Sequence, residues 1–450
     1  MTTHTIVRPS ARHLIGLHRF TAIVFAALLT ASAVVSAASE INNSSNSWIG
    51  TWAASPQPTW GPDFAFPTNI PATLQDQTIR QVARISLGGK RIRIVLSNEY
   101  GSQPLAIGAA HIALADAGSA IVAGTDRPLT FGGKTSAIVP PGAPLVSDPF
   151  DLTVAPLANV AVSVFLPNKT QATTFHWDGR QTAYLVKGNQ VAAKRIETDT
   201  TTGARIFLSG IQVEAVVPVS AVVVIGDSIT DGNGATINAN ARWPDFLAAR
   251  LVSRNVAVLN AGISGARLLG DRMGVNALAR FDRDVLSQPH VKSVIVLLGI
   301  NDISWPGTAF DPQGIRPAAD ALISGYRQLI ARAHMRGVRV VGATLTPFEG
   351  ALAGTPLDNY YNIGKDKLRQ KINAWIRTSG EFDAVIDFDA LAKDATHPSR
   401  LKPAFDSGDH LHPGDRGNKA MADAIDLDTL FRANYTYLSS LSQKDSPHEN

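Results

Sequence analysis

The sequence predicts a two-part protein: an all-β front half, then an α/β half built on a parallel sheet covered on both faces. Three observations carry this. Positions 48–216 hold short runs rich in Val, Ile and Leu, bounded by Gly, Asn and Pro, with no convincing long helix. From 217 onward, near-continuous apolar strands alternate with stretches whose apolar residues recur at three and four. At 450 residues the chain is also too long for one ordinary core.

The first 38 residues read as a secretory signal. A basic region ending at Arg19 precedes the apolar run FTAIVFAALLTASAVVSAA, which closes on small residues suited to cleavage after Ala37 or Ala38. That run is about long enough to span a bilayer, so a retained anchor competes with removal. Its richness in Ala, Ser and Thr favours removal, which implies a secreted or periplasmic protein with no stable membrane anchor. A polar linker, 39–47, follows.

Three of the 41 basic residues (Arg8, Arg12 and Arg19) lie in those first 38 positions, which hold no acid. The remainder balances 38 basic against 37 acidic residues. A nucleic-acid binder carries a basic face; no nucleic-acid partner is expected. There is no cysteine, so the cores hold the fold without disulfides.

The front domain, 48–216, contains RQVARISLGG, KRIRIVLSNEYG, NVAVSVFLPN and QTAYLVKGN as strand candidates. KRIRIVLS alternates basic and apolar residues, as a half-exposed strand should. A β-sandwich or jelly-roll-like domain fits these runs. Trp177, in TFHWDGRQT beside His176, Asp178 and Arg180, is a candidate wall for a sugar chain.

In the second domain, 217–437, the predicted strands are VVVI (222–225), VAVLN (256–260), SVIVLLG (293–299), VRVVGATL (338–345) and AVIDF (384–388). PDFLAARLVSR, PAADALISGYRQLIARAHMRG and DKLRQKINAWIRTSG are predicted helices, the last two ending at Gly337 and Gly380. A final helix is expected over AMADAIDLDTLFRAN, 420–434, before a polar tail, 438–450.

Ligands of open parallel sheets bind beyond the carboxyl ends of the strands. At those ends lie Gly-Asp-Ser with Ser228, NAGISG with Gly262 and Gly265, GIND with Asn301 and Asp302, and DSGDHLHPGD with Asp409, His410 and His412. Acyl transfer needs these residue types. A serine hydroxyl needs a base to take its proton, the base needs an orienting carboxylate, and the developing oxyanion needs donors already in place. Backbone N–H groups near Ser228 and Gly265, with the Asn301 amide, could supply three. His410 and His412 are alternatively candidate metal ligands, but no further His or Cys cluster accompanies them.

GDSIT, NAGISG, GIND and DHLHP together resemble the SGNH, or GDSL, hydrolase superfamily over residues 217–430. The resemblance implies a flavodoxin-like three-layer α/β/α fold needing no cofactor and no metal. It implies Ser228 as nucleophile and first oxyanion donor, Gly265 and Asn301 as further donors, His412 as base and Asp409 as its partner. The Trp48–Trp52 opening (WIGTW) and the β-rich front also resemble a bacterial branch associated with xylan breakdown. Short-chain deacylation of carbohydrate is the function implied, with a lipase or lysophospholipase second. Trp305 and Phe310, just after GIND, are candidates for a substrate trough or wall, and Trp305 is taken as substrate-binding.

Other readings fit less well. Gly232-x-Gly234-x-x is followed by Ile237, so the dinucleotide fingerprint fails, and no Gly-Lys-Ser/Thr follows for a phosphate loop. Thr230 stands where an α/β-hydrolase elbow needs glycine. A catalytically dead carbohydrate-binding relative would usually have lost the nucleophile or base, and all five positions are filled.

Overall fold

The computed structural model describes residues 1–2 and 46–432. The expected signal segment beyond its first two residues, most of the linker, and the tail 438–450 lie outside the described residues. Among the described residues, no helix is long and apolar enough to cross a membrane.

Two sheets build the front half. One joins Asn46–Ala53, Leu208–Val216, Gly89–Ser97 and Pro144–Val146, with Phe150–Val154 also paired to Gly89–Ser97; the other orders Thr201–Thr202, Ala183–Lys187, Gln77–Arg84, Asn159–Leu166, Ala109–Leu114 and Arg127–Pro128. Pairing in the second sheet is antiparallel throughout. The alternation in KRIRIVLS appears directly, for Ile92, Ile94 and Leu96 are buried while Arg91 and Arg93 reach outward. These residues share a core with Ile79, Val160, Val162, Val164 and Val213. Among the described residues, no helix interrupts this half.

A smaller three-stranded sheet sets Thr174–His176 between Gln57–Pro58 and Arg205–Ile206. It faces the second half of the chain, and its side chains matter below.

The second half is a parallel sheet of five strands: Ser220–Gly226, Val256–Gly262, Val291–Leu297, Arg339–Ala343 and Ala384–Ile386. Their spatial order is second, first, third, fourth, fifth, the flavodoxin-like order. Val222, Val223, Val224 and Ile225 are all fully buried, so both faces of the first strand are covered. Trp243–Leu251 packs against Asp415–Asp423, while Ala277–Phe281 and Ile363–Thr378 both contact Ala319–His334. The last of these buries Leu322, Ile323, Tyr326, Leu329, Ile330 and Ala333 on one stripe. Gly337 and Gly380 follow their helices at φ 65° and 70°, as helix terminators do.

Two elements differ from expectation. A one-turn helix, Ser228–Asp231, starts at the serine itself, because Asp227 caps it by accepting from Ile229 N and Gly232 closes it at φ 113°. The final helix runs over Asp415–Asp423, not 420–434, and a separate turn covers Leu427–Leu430. Asp426 breaks the expected run, since its side chain accepts from Asp428 N and begins a new turn.

From Ser47 on, the described residues form one compact unit. Phe64 of the front half is buried in the core of the parallel-sheet half, with Trp60, Phe66 and Trp177 packed beside it.

Candidate active site

The order in which strands are added to the sheet reverses between the first and third strands, and in such parallel sheets the ligand crevice lies beyond the carboxyl ends at that point. Ser228 follows the first strand, Gly265 the second and Asn301 the third. Arg280 braces the floor from below: buried, it donates to Ala261 O at 2.7 Å and to Gly226 O at 3.3 Å.

The loop 405–414 delivers the histidine. His412 Nε2 lies 2.7 Å from Ser228 Oγ, and His412 Nδ1 lies 2.5 Å from Asp409 Oδ2. Asp409 Oδ1 accepts from the amides of Leu411 and His412 at 3.0 and 2.8 Å. Partial burial opposes the charge, but the His412 ring and these amides hold the Asp409 carboxyl well below the usual carboxylate range. Ser228 and His412 are 7% and 5% exposed, so they meet in a nearly dry setting. Gly234 passes so close that a side chain there would strike His412 Cβ and Pro413 O.

His410 points elsewhere, with Nδ1 2.6 Å from Asp406 Oδ2. The two histidines therefore face different carboxylates and share no ligand position. Among the described residues, no cluster of three or more His, Cys, Asp or Glu could hold a metal ion.

Three candidate N–H sources lie at the carboxyl ends of these strands. Ser228 is the first residue of its helix, where the amide has no intrahelical acceptor. Gly265 adopts φ 77°, and a Cβ there would meet Met273 Sδ and Trp305, so only glycine fits. The Asn301 amide is fixed in orientation. Its Oδ1 accepts from Trp305 Nε1 at 2.9 Å and Tyr360 Oη at 2.7 Å, while Nδ2 donates to Ala266 O at 3.0 Å. An indole N–H can only donate, so the carboxamide oxygen must face Trp305 and the second Nδ2 hydrogen is left for a ligand.

Trp305 corrects the expectation of a substrate-binding surface. It is 1% exposed, packed against Phe64, Phe310 and the Arg267 guanidinium. Its part is to hold Asn301. Trp177 is half-buried, stacked on Phe66 at 6.0 Å, with its indole N–H donated to Pro67 O. Its neighbours do not line an open sugar-binding face. His176 is buried, and the Asp178 and Arg180 side chains are 15% and 18% exposed and paired with each other.

Sequence reasoning left several residues without a role. Asp302 of GIND accepts from the Leu268 and Leu269 amides at 2.7 and 2.9 Å, pinning the loop that carries Gly265. Burial pushes its carboxyl up to about 6. Asp227, fully buried, is pushed up to about 7 by loss of solvent, and its Oδ2 has no hydrogen-bond partner. Asp231 accepts from Ser264 N and Oγ, both at 2.8 Å. Asp227 and Asp231 sit inside GDSITD and Asp302 inside GIND, so position was readable; partnership was not. Tyr360 carried no local signal at all.

Residues 222–425 match the model of the GDSL-like lipase/acylhydrolase family. The fold and site thus define this half of the chain as an ester-hydrolase domain. It is a GDSL, or SGNH, acylhydrolase domain, and the protein is an enzyme of that class. Among solved structures, the chain is similar to an aryl esterase from M. smegmatis at 17% identity, covering 46% of this chain and 95% of that one, TM-score 0.37. It is similar to a GDSL-like lipase from Bacteroides thetaiotaomicron at 17% identity, covering 47% and 87%, TM-score 0.35. A catalytic mutant of an acetylxylan esterase from Geobacillus stearothermophilus matches at 20% identity, covering 48% and 97%, TM-score 0.35. No curated protein matched.

Proposed function

We propose that this chain is a secreted or periplasmic serine esterase that removes short acyl groups, acetyl foremost, from carbohydrate through an acyl-enzyme. The observation that carries the mechanism is the 2.7 Å approach of Ser228 Oγ to His412 Nε2, with Asp409 behind the ring. Ser228 Oγ attacks the ester carbonyl carbon while His412 Nε2 takes its proton. The carbonyl electron pair moves onto oxygen, where the Ser228 and Gly265 amides and Asn301 Nδ2 receive it. Collapse re-forms the carbonyl and expels the alcohol, which takes the proton from Nε2. Water then repeats the attack on the acyl-serine, with His412 accepting its proton and returning it to Ser228 Oγ as the acid departs. Asp409 stays ionised and steadies the imidazolium.

The short acyl group is supported by the packing beside Asn301. Trp305 and Phe310 are 1% and 8% exposed, and Phe64 from the front half stands against both rings. A long acyl chain needs an open apolar trough, and these rings are already engaged with one another. The carbohydrate alcohol rests on the WIGTW opening and β-rich front, and export on the composition of the first 38 residues.

A series of p-nitrophenyl esters from acetate to palmitate, run beside acetylated xylan, tests the reading. We expect kcat/KM to fall steadily as the chain lengthens, and acetate to appear from the polymer. Rates that climb with chain length would move the enzyme to the lipase class. Turnover of p-nitrophenyl acetate with none on acetylated carbohydrate would keep the esterase and discard the carbohydrate.

A further inference from the structure

The middle strand of the three-stranded sheet carries His176 into the parallel-sheet half, where it is 4% exposed. Its Nε2 lies 2.9 Å from Asp231 Oδ1, and its Nδ1 lies 3.1 Å from Ser55 O. Both ring nitrogens thus face acceptors, an arrangement satisfied in full only by the doubly protonated ring. Desolvation works against that charge, but Asp231 and the two hydrogen bonds prevail and the ring's pKa is raised.

Asp231 does not end there. Its other oxygen, Oδ2, accepts from both the amide and the hydroxyl of Ser264, each at 2.8 Å, and Ser264 directly precedes Gly265. A second contact from the same small sheet reaches the far end of this loop. Gln57 Nε2 donates to Met273 O, and Gln57 Oε1 accepts from Trp177 N at 2.8 Å. Met273 in turn closes on Gly265, as the space for a Cβ there shows. The front half therefore grips the loop at both ends.

We propose that His176 is a positioning residue for the oxyanion donor Gly265, acting through Asp231 and Ser264, so that the front half completes the catalytic site. The inference rests on the reading of Ser228 as nucleophile and Gly265 as donor. A donor stabilises an oxyanion only when it is already aimed, and a backbone amide on a glycine loop has no side chain of its own to aim it. Asp231 supplies that constraint as an acceptor for Ser264, and His176 fixes the orientation of the Asp231 carboxylate in a buried place. The contribution belongs to the transition state, so it should appear in kcat and not in ground-state binding.

The test uses the full chain with p-nitrophenyl acetate and with phenylboronic acid, which forms a tetrahedral adduct on an active serine. His176→Ala should lower kcat by about 10- to 100-fold with KM within about twofold, and the boronic acid's inhibition constant should rise by a similar factor. His176→Gln, which keeps a donor for Asp231, should recover part of the loss. Asp231→Ala, which removes the acceptor for Ser264 altogether, should match His176→Ala, and the double variant should be no worse than either. Wild-type kcat in folded His176→Ala, or additive losses in the double variant, would overturn the proposal. Should His176→Ala not fold, the same split between kcat and KM is read from His176→Gln, and an unchanged kcat there overturns it equally. Ser228→Ala is assayed in parallel. If it still turns over ester, the nucleophile reading fails; if it is silent while the His176 variants run normally, only the positioning role fails.

Discussion

Ser228 Oγ and His412 Nε2 stand 2.7 Å apart although 184 positions separate them in the chain. With Asp409 on the far side of the ring, the proposed mechanism makes the three one proton-handling unit, and the members of such a unit fail together. Ser228→Ala and His412→Ala should each lower kcat by about 10⁴- to 10⁶-fold, and the double variant should be little worse. Asp409→Asn should cost about 10⁴-fold. Steady-state kinetics beside far-ultraviolet circular dichroism checks this. Substantial turnover by a well-folded Ser228→Ala would sink the assignment.

Asn301 offers a sharper separation between catalysis and structure. Its carboxamide is held by Trp305, Tyr360 and Ala266, leaving one N–H for developing charge. Asn301→Ala should lower kcat by about 10²- to 10³-fold with KM nearly unchanged. Tyr360→Phe removes one of the two donors that orient Oδ1 and should lower kcat by roughly tenfold or less. If Asn301→Ala instead lowers only the melting temperature, Asn301 is a turn residue and not an oxyanion donor.

Asp227 makes stability depend on pH in a defined direction. Its carboxyl rises from the ordinary 3.8 to about 7 because burial disfavours the charge. A raised folded-state value means the folded protein holds the proton more tightly than the unfolded chain. The stability this confers is complete below about pH 4, declines as pH rises, and is gone above about 7. Asp227→Asn removes the titration, so its stability relative to the parent should increase between pH 5 and pH 8, by about 1–3 kcal/mol. Denaturant melts at the two pH values measure it. A constant difference between variant and parent would refute the account.

Trp177 tests whether the front half touches substrate or supports the site. Its ring stacks on Phe66, Phe66 meets Phe310 edge-on at 4.7 Å, and Phe310 meets Trp305, which holds Asn301. Trp177→Ala should therefore destabilise the protein by about 1–3 kcal/mol. It should also reduce turnover of p-nitrophenyl acetate and acetylated xylan in parallel. A rise in KM confined to the polymer would return Trp177 to the substrate surface.

Much of the fold and of the candidate site is legible in the amino-acid sequence, and the reason is local. Four branched residues running into Gly-Asp-Ser announce a buried strand that ends in a turn, and Val222–Ile225 are indeed fully buried ahead of Ser228. Strand and helix periods are properties of adjacent residues, as is the turn that sets Asp409 three positions from His412. Even the misplaced final helix failed locally, because an apolar period cannot reveal that the Asp426 side chain will cap a new turn.

What only the tertiary structure decided are relationships between segments that share no neighbourhood in the chain. An exposed aromatic and a buried one have the same residue type, and Trp305, which donates to Asn301, is covered by Phe64 from far upstream as well as by Phe310. Likewise, His176 beside Asp178 and Arg180 read as a polar surface, yet the small sheet turns its ring inward to Asp231, 55 positions away. Sequence period sets which faces are apolar. The packing of one half on the other sets which polar groups must find partners out of water.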